Sequence, residues 1–260
     1  MDYEVGVDIV PSSEDNVIDW LRSLPVFPDA IEHYGQDPHQ IIEWYGDPAA
    51  KPICFVHGGC FHDANALPAT RPAARALAEA GYYVGLVDYR IADARPELTS
   101  SDAMKLAVHP VLGEAIWVGH DAGGAFAMNV VMAPETPVRA AVLLAPILDL
   151  ARDVREDPEG HNGPTARWIG GSPEECPERY AMYDPMFNYY HVGPARFRAR
   201  DLSIDIIHGA DDQMIGVERS RDVRAEPFNL AIVEGADHID LICPGQDAWV
   251  YFLGALASVE

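Results

Sequence analysis

The run Ile116-Trp117-Val118-Gly119-His120-Asp121-Ala122-Gly123-Gly124-Ala125-Phe126 decides how the rest of the chain is read. Its short apolar opening fits a buried strand, and the small and apolar residues from Ala122 onward fit a buried helix that follows almost at once. In a turn of the form Gly-x-residue-x-Gly, the flanking glycines let the backbone bend without a Cβ clash. The central side chain is then thrust out at the top of a sheet. That residue here is Asp121, where the pattern ordinarily carries serine. A carboxylate is ionised near neutral pH and needs no base to become nucleophilic, so the turn specifies a fold and leaves the reaction open.

Outward from this turn, apolar strands and helices alternate. Upstream, 40–45 alternates as a half-buried strand, Gly46-Asp47-Pro48 signals a turn, and 52–56 is an apolar run ending in His57-Gly58-Gly59-Cys60-Phe61. Residues 68–80, closed by Gly81, and 101–109 are expected helices, and 82–87 a continuous apolar strand. The amphipathic stretch 17–24 fits one short helix, and no role can be read for residues 1–38. Downstream follow a helix over 123–132 and a strand over 139–145. From Asp149 to Leu202 the rhythm breaks into Gly, Pro, charge and aromatics, and a cap is expected at about residues 150–200. Alternation resumes with a strand over 203–207, the loop Gly209-Ala210-Asp211-Asp212, a helix near 216–223, a strand over 229–233 and a last helix over about 238–257. This pattern is the signature of a mostly parallel central sheet flanked by helices, an α/β fold. The 260 residues are expected to form one domain, with the cap inserted in it.

Composition narrows the partners. With 41 acidic against 18 basic residues and a formal net charge of −23, the chain has no means of gripping a phosphate backbone and is repelled by anionic membranes. No run approaches the length of a membrane span, and the acidic opening Met1-Asp2-Tyr3-Glu4 lacks the basic region of a secretion signal, so a cytoplasmic protein is expected. Cys54, Cys60, Cys176 and Cys243 form no C-x-x-C pair and read as free thiols. No His, Cys and Asp spacing makes a metal site. A small molecule is the expected partner, and the oligomeric state is left open.

Three loops fall at the carboxyl ends of expected parallel strands, where open α/β sheets bind ligands. They are 57–60, 119–123 and 209–212, joined after the last strand by Gly235-Ala236-Asp237-His238. With Asp88-Tyr89-Arg90-Ile91-Ala92 between them, residues 40–258 resemble the α/β-hydrolase superfamily, and within it the hormone-sensitive-lipase-like esterases and kynurenine formamidases. The resemblance puts Asp121 at the nucleophile position and the amides of Gly59, Cys60 and Ala122 in an oxyanion hole. It makes His238 the general base and Asp212 its orienting carboxylate, with Asp149 and then Asp211 as rivals. His57, Phe61 and His120, with Tyr183, Tyr189 and Tyr190 of the cap, are expected to bind substrate. The plainer reading of His57 and His120 is structural hydrogen bonding, of His208 a satisfied core or rim histidine, and of Cys60 a small hydrophobe.

The implied activity is hydrolysis of a small neutral or cationic ester or amide, esterase- or arylformamidase-like, without a cofactor. The aspartate opens an alternative. Gly-x-Asp-x-Gly elbows are similar to those of epoxide hydrolases and dehalogenases, which form an alkyl ester on the aspartate, and Tyr180, Tyr183, Tyr189 and Tyr190 would then hold an epoxide oxygen. Those enzymes carry a His-Gly-x-Pro loop where this chain has His57-Gly58-Gly59-Cys60. A non-hydrolytic acid–base lyase or cyclase and a non-catalytic binder are the remaining options. Carboxylates on both sides of His238 are expected to raise its pKa, so activity is expected to rise with pH through neutrality.

Overall fold

The computed structural model describes residues 14–62, 66–156, 163–192, 199–223 and 228–259. Parts of the expected cap, 157–162 and 193–198, and of the opening stretch, 1–13, lie outside the described residues. Eight strands among them form one sheet: β1 (Ala30–His33), β2 (Ile41–Tyr45), β3 (Lys51–Val56), β4 (Tyr82–Val87), β5 (Ile116–His120), β6 (Ala140–Leu144), β7 (Ser203–Gly209) and β8 (Phe228–Val233). Their spatial order is β1-β2-β4-β3-β5-β6-β7-β8. The first two run antiparallel to their neighbours, and every pairing from β4 to β8 is parallel.

Period-two alternation sends successive strand residues to opposite faces, and both faces are covered. On one side Trp117 and Leu143 pack with Phe126 and Trp168. They meet α3 (Pro96–Ala107), α4 (Ala122–Met132) and part of the chain between β6 and β7. On the other side Phe55, Val118 and Leu77 pack with Phe252, under α1 (Glu14–Ser23), α2 (Ala66–Glu79) and the C-terminal helix. Among the described residues, the chain between β6 and β7 forms the short helices α5 (Leu150–Glu156), α6 (Gly163–Ile169), α7 (Pro177–Tyr183) and α8 (Pro185–Val192). After β7 come the single turn α9 (Glu218–Arg221) and α10 (Asp247–Ser258). No described helix is long and apolar enough to cross a membrane.

Three elements differ from the sequence reading. β1 was not foreseen, because all four of its residues are exposed and carry no alternation. α3 starts at Pro96 rather than at 101, since proline is suited to a first helical turn where its missing N–H is no loss. The last helix starts at Asp247 rather than near 238: Asp240–Ile242 makes a 3-10 turn, and Pro244-Gly245 interrupts the chain before α10.

Candidate active site

Asp121 is the one residue between β5 and α4, and it adopts φ 54°, ψ −121°. A non-glycine residue there is strained by about 1–3 kcal/mol. The neighbouring glycines hold it in place by close approach. A Cβ on Gly119 would lie 2.4 Å from the Gly123 carbonyl oxygen, and one on Gly123 would lie 2.3 Å from that of Val56 at the end of β3. The turn is closed further by the Asp121 N–H, which donates to the Leu144 carbonyl, and by its own carbonyl, which accepts from Gly124 and Ile147.

Asp121 is only 2% exposed. Its Oδ2 accepts from the backbone amides of Gly59 at 2.8 Å and Cys60 at 2.7 Å. Gly59, Cys60 and Phe61 all have positive φ, which turns successive N–H groups toward one concavity suited to negative charge. Oδ1 is buried with no hydrogen-bond partner. Ala122, fully buried, opens α4. Burial first, and then the charge of Asp121, pushes the Cys60 thiol well above its ordinary pKa, so it stays protonated.

His238 follows β8 and is buried. Its Nδ1 donates to Asp212 Oδ2 at 2.8 Å. The same oxygen lies 3.1 Å from His208 Nε2, while Asp212 Oδ1 accepts from the amides of Met214 and Ile215. Burial works to raise the Asp212 pKa, but hydrogen bonds from His208 and His238, the His238 charge and the Ile215 amide together hold it well below the ordinary carboxylate range. The rival carboxylates lie elsewhere: Asp149 accepts from the Arg152 amide at the start of α5, and Asp211 is exposed. His120 Nε2 donates to the His238 carbonyl at 3.1 Å, and the two rings lie 4.5 Å apart. Burial first, and then the His238 charge, pushes the His120 pKa well down, so its ring is neutral.

Asp121, Cys60, His120 and His238 border one cavity of about 290 Å³. It opens on the α1 and α2 side, where Ile18, Met214, Ile239 and Ile242 make it largely apolar, and Arg22, His62 and Thr70 add polar groups. The expected binding residues divide. His120 borders this cavity; His57, Phe61, Tyr183, Tyr189 and Tyr190 do not. His57 is fully buried, stacked on Tyr89 and 3.2 Å from Asp88, and Phe61 stacks on Trp168. Both brace the glycine loop from behind. Tyr189 is buried against Phe228, Tyr190 is 61% exposed, and Tyr183 faces Trp168. The tyrosines pack on the α4 side, and Pro164 alone among the described residues of 150–200 reaches the cavity.

Two residues that line the cavity, and one contact of a residue correctly placed in the core, are not given by the sequence. Ile18 and Arg22 come from α1, whose amphipathic pattern was the one available signal. His208 was read as a core histidine, and its spacing of four from Asp212 was the clue to their contact. Among the described residues no group of three His, Cys, Asp or Glu side chains is placed to hold a metal ion.

No protein-family model matches the chain, and no curated protein matches it. Solved structures do. Esterase B from Lactobacillus rhamnosis (HN001) superposes with a TM-score of 0.68 at 14% identity, over 93% of this chain and 89% of that one. The native form of esterase 2 from the planctomycete Thermogutta terrifontis gives 0.61 at 18% identity, over 88% and 89%. Identity this low establishes architecture alone, and that architecture is the α/β-hydrolase fold.

Proposed function

We propose that the protein is a hydrolase of small, largely apolar molecules that works through a covalent ester on Asp121. The observation that carries this reading is the pair of amide hydrogen bonds on Oδ2, which leaves Oδ1 without a partner. In this reading the side chains that cover Oδ1, which has no exposed surface in the resting site, move aside as substrate binds; Oδ1 then attacks an electrophilic carbon of the substrate, and the leaving group departs with its bonding electrons. The ester so formed has Oδ2 as its carbonyl oxygen, already between the Gly59 and Cys60 amides. His238, oriented by Asp212, then takes a proton from water, and the hydroxide adds to the Asp121 carboxyl carbon. Negative charge develops on Oδ2, where the amides stabilise it. Collapse expels the alcohol, which takes the proton back from His238. Asp121 is regenerated with one oxygen from water.

The second half of that cycle is ester hydrolysis by the parts an esterase uses, in keeping with the esterase neighbours. A saturated carbon bearing a leaving group is favoured over an acyl carbon for the first half, because a substrate carbonyl would compete with Oδ2 for the same two amides. The epoxide variant is disfavoured, since no tyrosine among the described residues borders the cavity. A second reading keeps the small ester or amide, arylformamidase-like, as substrate. It is favoured by the His57-Gly58-Gly59 loop and by the Thermogutta esterase 2 structures with propionate and with butyrate bound. It requires Asp121 to leave the amides during acyl transfer.

The deciding experiment is single turnover in oxygen-18 water with a haloalkane, a styrene-type epoxide, an aryl acetate and an N-formyl arylamine, followed by mass analysis of the peptide around Asp121. Label in the Asp121 carboxylate is expected, and the substrate that delivers it names the class. Product formed from the haloalkane or the epoxide with an unlabelled Asp121 overturns the covalent ester and leaves Asp121 an acid or base; product from the acetate or the formamide alone, with an unlabelled Asp121, overturns the alkyl ester in favour of acyl transfer.

A further inference from the structure

Behind Asp212 lies a second histidine that the reaction above does not use. His208 is the last residue but one of β7 and has no exposed surface. Its two ring nitrogens are fixed by different partners. Nε2 lies 2.8 Å from the Ile215 carbonyl, which only accepts, so this nitrogen carries hydrogen. The same N–H faces Asp212 Oδ2 at 3.1 Å. Nδ1 lies 2.7 Å from Ser220 Oγ, which is also buried, so the hydroxyl donates to the unprotonated nitrogen. Ser220 belongs to α9, a single turn that the loop from Asp212 reaches by wrapping around the imidazole.

We propose that His208 is a positioning residue for the candidate active site: it completes a hydrogen-bonded chain from Ser220 through His208 and Asp212 to His238, and holds the carboxylate in the orientation that receives the His238 N–H. Asp212 Oδ1 accepts from two amides and Oδ2 from the His238 ring, while the His208 N–H, whose nearer acceptor is the Ile215 carbonyl, is shared with Oδ2 at 3.1 Å, so both carboxylate oxygens are held in place. Sharing Oδ2 has a further effect. Each donor draws on the same negative charge, so His208 weakens the hold of Asp212 on a protonated His238. Among the described residues, the other titratable and charged groups around His238 are His120, whose ring from β5 lies tilted against it, Asp121, Cys60, Arg22 and His62 around the cavity, and Asp237 and Asp240 on its own loop.

This inference rests on the proposed roles of His238 and Asp212, and its test is independent of turnover. The His238 ring is titrated by NMR in protein carrying nitrogen-15 histidine, its signals assigned by their loss in a His238 variant. His208→Phe keeps a ring in the space but supplies no donor. It is expected to raise the His238 midpoint by about half a unit to one unit. His208→Gln, whose amide nitrogen can replace Nε2–H, is expected to return the midpoint toward the parent value. Where a substrate is in hand, the rising limb of kcat against pH should move with the midpoint in His208→Phe while KM stays within about twofold. A folded His208→Phe protein with an unmoved His238 midpoint overturns the proposal and makes His208 a packing residue. If that variant does not fold, Ser220→Ala decides in its place, with a smaller upward shift expected and an unchanged midpoint again overturning it. Failure to label Asp121 leaves this titration unaffected, so the two readings fail separately.

Discussion

A buried carboxylate oxygen without a hydrogen bond costs about 1–3 kcal/mol, and Asp121 Oδ1 adds that to the strain of a residue held at φ 54°. Relief of both predicts that Asp121→Gly raises stability by about 1–3 kcal/mol in chemical unfolding while abolishing turnover. Asp121→Ser tests the site from the other direction. It vacates the Oδ2 position, frees the Gly59 and Cys60 amides for a substrate carbonyl, and supplies a hydroxyl at the nucleophile position. An acyl-enzyme burst with p-nitrophenyl acetate, absent from the parent protein, is expected in stopped-flow kinetics; no burst would mean that the amides and His238 do not converge on a serine adduct. The placement of Asp121, Gly59, Cys60, Asp212 and His238 at neighbouring loop ends was legible because each lies in a short glycine-marked turn after an apolar strand, and turn geometry is encoded locally. The tyrosines were misplaced for the converse reason. Which way Tyr183 and Tyr189 point depends on how α7 and α8 pack on α4, and nothing within their own stretch of sequence fixes that.

At the next scale, two buried carboxylates tie α5 to its neighbours α8 and α9. Asp184 accepts from the Ala151 amide of α5 and from the Met186 and Phe187 amides of α8, and Asp153 of α5 pairs with Arg219 of α9. Burial, opposed by the Arg219 charge, lifts Asp153 from 3.8 to about 7. Burial, opposed by the Phe187 and Ala151 amides, lifts Asp184 to about 6. A raised carboxyl pKa means that the folded state keeps a proton the unfolded chain has released. Stability is therefore full below the unfolded value and is lost as pH rises through about 6 and about 7, at up to about 1.4 kcal/mol per pH unit for each group. The thermal midpoint should fall between about pH 4 and about pH 7, and Asp153→Asn with Asp184→Asn should flatten that fall; a double variant with the parent slope would show that other groups carry the dependence. Elements with strong local signals, such as α2 and β4, were readable within a few residues. β1 was not, because its backbone pairing with β2 leaves all four side chains in solvent, and an exposed edge leaves no hydrophobic period to read.

Over the whole molecule the same sheet separates two environments, an aromatic core on the α4 side and a core with an adjoining cavity on the α1 and α2 side. The alternation of apolar strands with helices made the layered architecture legible, since a strand buried on both faces has few polar positions to spare. A formal charge of −23 on 260 residues also acts at this scale, by self-repulsion that salt screens over about 10 Å at 0.1 M. Raising sodium chloride from about 10 mM to about 500 mM should lift the thermal midpoint by several degrees, and an unchanged midpoint would mean that repulsion among the surface carboxylates does not limit stability. The shape of the turn at residue 121 has a longer consequence. It is written in backbone contacts that exclude a Cβ at Gly119 and Gly123, not in the side chain it displays. The residue at 121 is thus a socket in an otherwise fixed frame: a lineage can exchange one reaction for another there by a change at a single position, and a library built on this frame can sample new nucleophiles without redesigning the protein.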